Sequence, residues 1–220
     1  MPRVDLYCII HKTLRNMLFD TARCIAEANF EDSASKAHAL EKLDTTLGFL
    51  EEHNGHEDDF VDPVIAAVDS GLSERIHAEH NELHEHMVTL RQLGGELGGA
   101  DGPTAVGLGA RLHLTFSVFM AGYLSHMATE EVEANQVLWE HKSDPELVEV
   151  RTALQGSIPP ERFGQWFTHM VPAMNWQERV GVLSGMKMHA PPHVFDAMSG
   201  VARQAIGDDA WAALADALPA

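Results

Sequence analysis

The sequence predicts an all-α protein, an up-down-up-down four-helix bundle followed by an extension of shorter helices. Three observations carry this. Apolar residues recur every three or four positions over long stretches, the helical period. Alternation is rare and β-branched residues are scattered, so strand signals are weak. Turn residues leave four long segments with short connections, which makes sequential helices antiparallel neighbours.

The first helix is expected from about Arg3 to Asn29, with Leu6, Ile10, Leu14, Met17, Leu18 and Ile25 near one side. Phe30-Glu31-Asp32-Ser33 breaks it. The second runs from about Ser35 to Ala67 on Leu40, Leu43, Leu47, Leu50, Val61 and Ile65, with Gly55 and Pro63 as kink points. After the Ser70-Gly71 turn, Ser73 is the expected N-cap of a third helix. That helix carries Ile76, Leu83, Met87 and Leu90 and fades in the Gly94–Gly102 stretch. The fourth begins between Thr104 and Leu108 and reaches about His141. Ser143-Asp144-Pro145 marks a boundary, giving a bundle over 1–142 and an extension over 143–220 packed on it. Helices at about 145–155, 160–172, 176–188, 192–206 and 208–218 are punctuated by Pro159-Pro160, Pro172 and Pro191-Pro192.

At 220 residues and 24.2 kDa the chain can bury one good-sized core, with or without an appendage. Its formal charge of −18 repels phosphate backbones and anionic lipid, which argues against nucleic-acid and membrane partners. No apolar run reaches the roughly 20 residues of a membrane span. MPRVDLYCII lacks the long apolar stretch of a signal peptide. Cys8 and Cys24 lie in one predicted helix, about 24 Å apart at 1.5 Å per residue, too far to bridge. Free thiols predict a reducing, cytoplasmic setting. The unusual count is histidine, at 14.

Each long segment offers metal-ligand side chains: His11 on the first, His53 and Glu57 on the second, His77, His80 and His84 on the third, His126 and Glu130 on the fourth. Residues at i and i+4 differ by about 40° around a helix, so each such pair projects from one face. Their heights also match. His11 and His53 each lie 21 residues from a first turn centred near residue 32, and Glu57 and His84 each lie 13.5 from a second centred near 70.5. The third turn is less even, and leaves about 9 Å for a Gly-rich loop to absorb. Facing helices of a bundle assemble metal sites from such pairs.

The segments IIHKTLR, FLEEHNGHEDDF, AEHNELHEHM and SHMATEEVEAN together resemble the hemerythrin-like HHE cation-binding family over about residues 1–141. The resemblance implies a four-helix bundle holding two non-haem irons, oxo- or hydroxo-bridged, with two bridging carboxylates. It implies the ligands His11, His53, Glu57, His80, His84, His126 and Glu130. Some members use a single histidine on the third helix, and His77 competes with His84. In the animal oxygen carriers the last carboxylate is an Asp five residues after its His; here Glu130 is at four and Glu131 at five, and the helical phase favours Glu130. An open iron position would bind or react with O2, peroxide or nitric oxide. The alternative is an iron- or oxygen-responsive regulatory protein in which the metal sets the fold and the C-terminal helices engage a partner. A homodimer or a protein partner would be held through the C-terminal helices, and the sequence leaves open whether Trp166, Phe167 and Trp176 form a dimer contact.

Around these ligands, Tyr7 and Tyr123 are candidates to contact the cofactor, lying four before His11 and three before His126. Asp58, Asp59, Glu79, Glu82, Glu85 and Glu131 adjoin ligands and are candidates to orient imidazoles. His38, His56, His86, His113 and His141 are expected at or near the surface.

Overall fold

The computed structural model describes residues 3–219, and every regular element among them is helical. Four long helices come first: α1 (Cys8–Glu27), α2 (residues 33–66), α3 (Ser70–Gly98) and α4 (Gly102–His141). Shorter ones follow: α5 (Asp144–Ser157), α6 (Pro160–Ala173), α7 (Trp176–His189), α8 (Pro192–Ile206) and α9 (Asp208–Asp216). By length and composition α4 could cross a membrane, which the sequence reading did not anticipate. Its buried Leu112, Phe116, Phe119 and Tyr123, with buried His126 and Glu130, fit a helix of a protein core.

The described residues divide into two compact units. The first comprises residues 3–7 and 14–154. Here α3 packs against α4 and α2. One apolar cluster joins Tyr7, Val61, Ile65, Leu72, Ile76, Ala134, Leu138 and Leu147. Thr21 and Thr46 share a buried hydroxyl–hydroxyl hydrogen bond of 2.8 Å between α1 and α2. Phe30 lies so close to Gly109 of α4 that a Cβ there would sit 2.1 Å from its ring. The second unit comprises residues 8–13 and 155–219, around a core of Phe167, Val171, Met174, Leu183, Ala202 and Leu214. Lys12 and Glu178 form an ion pair within it at 2.5 Å.

The units part between residues 154 and 155 rather than after 142. The reason is α5, whose fully buried Leu147 belongs to the first unit's apolar cluster. Likewise α1 starts at Cys8, not near Arg3. Residues 3–7 are held outside any helix: the Arg3 guanidinium donates to Asp144 and to the carbonyls of Trp139 and Lys142, and the Trp139 indole donates to the Val4 carbonyl. The N-cap of α3 is Asp69, whose side chain accepts from the Leu72 N–H, while Ser73 is buried inside the helix. The helix α3 does not fade at Gly94. Leu40 and Leu43 of α2 crowd that glycine at 3.5 and 3.4 Å from a would-be Cβ, and α3 continues to Gly98. Only residues 99–101 then separate α3 from α4, and Lys36 clamps this turn by donating to the Ala100 carbonyl and pairing with Asp101. The long Gly-rich loop expected to absorb an offset of about 9 Å is therefore not there.

Candidate metal centre

The two His-x-x-x-Glu pairs sit where their helices change pitch. His53 lies in the last turn of the regular part of α2, which ends at His56, and Glu57 opens a π-helical turn over Glu57–Val61. His126 and Glu130 repeat this on α4, with a π turn over Glu130–Ala134. In both turns the glutamate carbonyl accepts from the N–H five residues on, Asp62 in one and Asn135 in the other. Such wide turns gather at functional sites. Pro63 contributes to the first, because it has no N–H to give the Asp59 carbonyl one α-helical turn back. The second has no proline.

Across α2, α3 and α4 these side chains converge. His53 Nε2 lies 3.2 Å from Glu57 Oε2, and His126 Nε2 lies 3.3 Å from Glu130 Oε1. His80, from α3, reaches both carboxylates, at 3.6 Å from Glu57 and 3.5 Å from Glu130. Glu57, His80, His126 and Glu130 each offer a ligand atom within 4.8 Å of the others, and all four are buried. His53 offers one to the same two carboxylates within the same limit. Two neighbouring sets of buried ligand atoms therefore share Glu57 and Glu130, and they could hold metal ions.

Two further carboxylates fix the imidazoles. His80 Nδ1 lies 2.8 Å from Asp58 Oδ1, and His126 Nδ1 lies 2.8 Å from Glu79 Oε2. An ionised carboxylate only accepts, so it holds the proton on Nδ1 and leaves Nε2 as the metal-facing nitrogen. Both Nε2 atoms are buried and have no hydrogen-bond partner among the described residues. Their 3.3–3.6 Å approaches to Glu57 and Glu130 are ionic contacts without hydrogen-bond geometry. A buried polar atom left in that condition costs about 1–3 kcal/mol, and a bound cation removes the cost. The residues present thus fit a metal.

The electrostatics agree. Burial opposes a proton on His80, but Asp58, Glu130 and Glu57 together push its pKa up to about 12. Burial likewise opposes a proton on His126, and Glu130 outweighs it. Burial and the charge of Glu57 would raise the Glu130 carboxyl, yet its contacts with His126 and His80 hold it below the usual range. The space between the two glutamates favours positive charge.

The remaining expectations sort by position. His11 belongs to the second unit, in the first turn of α1, and is fully buried. His84 is exposed and belongs to neither set, so the structure removes it from the ligand list. It lies about 40° around α3 from His80, off the buried face. His77 is also exposed, and its ring lies 3.7 Å from Asp58. Tyr7 and Tyr123 are buried, and burial followed by the nearby Glu57 and Glu130 raises both phenols well above their ordinary pKa. Tyr123 donates to Asn54 Oδ1, a buried partner the sequence reading did not single out. Its ring meets that of His126 edge-on, with centroids 5.8 Å apart. Trp166 is buried and Phe167 lies in the second unit's core, which leaves Trp176 as the exposed member of that trio.

No family model, no curated protein and no solved structure matches this chain.

Proposed function

We propose that this chain is a hemerythrin-like protein, a four-helix up-down bundle with two non-haem irons in its core that bind or react with O2, peroxide or nitric oxide. The observation that carries the reading is the sharing of Glu57 and Glu130 between two neighbouring sets of buried ligand atoms. Two carboxylates common to two imidazole sets suit a pair of hard cations bridged by carboxylate. His53 would serve one ion, and His80 and His126 the other. His11 joins as the ligand of the first helix, on the grounds of the matched heights of His11 and His53 in the sequence. When bound, such a pair supplies electrons and an open coordination position to a small oxidant. Dropping exposed His84 from the set leaves one more open position than the sequence implied. Asp58 and Glu79 hold the imidazoles in orientation, and Asn54 holds Tyr123.

The first test is metal analysis of the purified protein, with an absorption spectrum before and after reduction and re-exposure to air. Two irons per chain, with bands that bleach and return, are expected. Zinc alone, or a stably folded metal-free protein, would remove the redox reading. In His53→Ala and Glu130→Ala the iron content should fall, and full stoichiometry in either variant would take that residue out of the site.

A second reading, an iron-responsive interaction protein, draws on the separate apolar core of the second unit. Iron-dependent protection from proteolysis without gas or peroxide reactivity would favour it.

A further inference from the structure

The helix α4 carries two seams. On its buried side Leu112, Phe116, Phe119, Tyr123, His126 and Glu130 alternate at four and three residues. Two positions further on, and so on the opposite side, Leu114, Val118, Ala121, Ser125, Ala128 and Val132 repeat the same alternation, and all six are exposed. The three largest are well uncovered, Leu114 at 66%, Val118 at 60% and Val132 at 66%. From Leu112 to Thr129 the sequence has no Asp, Glu, Lys or Arg, in a chain whose net charge is −18. A solvated helix face ordinarily carries charge. This one has instead the spacing by which one helix packs on another.

We infer that this face binds a second copy of the chain, with the two α4 helices antiparallel and crossing near Ala121. The seam is complementary to itself in size. With a two-fold axis at Ala121, Leu114 of one copy meets Ala128 of the other, and Val118 meets Ser125. The small residues at Ala121 let the backbones approach. The seam is also complementary in charge. Arg111 sits at its N-terminal flank and forms no ion pair among the described residues. Ten residues before Ala121, it falls beside Glu133 of the other copy, twelve residues after Ala121 and on the same flank. Glu133 is about half exposed and pairs through one carboxylate oxygen with Arg75 of its own chain, so Arg111 would add a second cation to that carboxylate. The offset of two residues is about 3 Å, within reach of an arginine. A parallel pairing would instead set Arg111 against Arg111. The uncharged face is also where two chains of −18 repel each other least, so screening by salt should strengthen the association.

This inference does not depend on the metal assignment, and either can fail alone. The test is the mass of the intact, metal-loaded protein in solution by light scattering or sedimentation. The expected result is twice the 24.2 kDa chain mass. Val118→Lys should give a folded monomer, while Phe19→Lys, at an exposed position on α1, should leave the dimer intact. In a Cys8→Ser, Cys24→Ser background, Ala121→Cys should cross-link two chains on oxidation and Leu114→Cys should not. A monomeric wild type, a dimer that survives Val118→Lys, or equal cross-linking at both positions would overturn the proposal.

Discussion

Asp58 and Glu79 decide which nitrogen of His80 and His126 faces the shared glutamates. Neither needs to touch a metal to matter. Asp58→Ala and Glu79→Ala should each weaken metal affinity about 10–100-fold with helicity unchanged. Competition against a chelator of known affinity measures this, and wild-type affinity in both variants would reduce the two contacts to packing. His84→Ala should keep the full metal complement, since His84 is exposed, and loss of an ion there would mean the ligand sets are wrongly drawn. The two His-x-x-x-Glu pairs were legible in the sequence because one turn of helix aligns them. The choice between His80 and His84 was legible too, but in a different signal. Ile76, His80, Leu83, Met87 and Leu90 form the buried run of α3 at spacings of four and three, and His84 falls outside it. Asp58 and Glu79 could be listed as neighbours of ligands but not selected, because an acidic residue beside a ligand is equally at home in water.

Among the elements, α4 has the most crowded glycine of the first unit, where Gly109 meets the Phe30 ring. Gly109→Ala gives an otherwise good helix former, yet its methyl would occupy the ring's place. The expected net cost is about 1–3 kcal/mol, the usual price of overpacking. At roughly 2–4 °C per kcal/mol for a chain of this size, thermal unfolding should register it. An unchanged midpoint would mean that Phe30 swings away freely. The hydroxyl pair of Thr21 and Thr46 gives a second check on how α1 meets α2. Thr21→Val strands the Thr46 hydroxyl and should cost about 1–3 kcal/mol, whereas changing both to Val should be nearly neutral. Equal losses in the single and double variants would show that the pair is wetter than its burial indicates. Helix existence was read correctly from periodicity, and helix ends less well. Asp69 caps α3 four residues before Ser73, the expected cap, and the glycines of α3 stay helical because Leu40 and Leu43 pack on Gly94. Tertiary contact overrides propensity at both places.

For the whole molecule, the first unit carries two buried glutamates that face each other, and the second carries an apolar core. A metal bound between those glutamates would therefore be linked to the stability of the protein. Metal at about 100 times its dissociation constant should add roughly 2.7 kcal/mol per site to stability, and chelation should remove it. Identical melting curves with and without chelator would disconnect the metal from the fold. The sequence placed the division of the chain at a strong local signal, Ser143-Asp144-Pro145. The structure moves it twelve residues on, because burial of Leu147 outweighs a proline at a helix start. That burial joins residues distant in sequence, and no local pattern announces it.

The two π turns also bear on how this chain can change over generations. Each turn accommodates one residue more than an α-helical path of the same height, so it corresponds to a single inserted codon. Losing one residue within 57–61 or 130–134 would close the turn to an α-helical one and keep the phase of everything downstream, whereas losing one from a regular stretch of the same helix would rotate everything downstream by about 100°. In α4 a deletion in the regular stretch before residue 130 would swing Ala134 and Leu138 away from the apolar cluster they share with Ile65 and Ile76. Substitutions at exposed Asp59 or Val132 leave the phase of the helix alone. A library of single-residue deletions should separate the two kinds of site, with loss of exposed Asp59 or Val132 tolerated better than loss of a residue from the regular helix just before either turn.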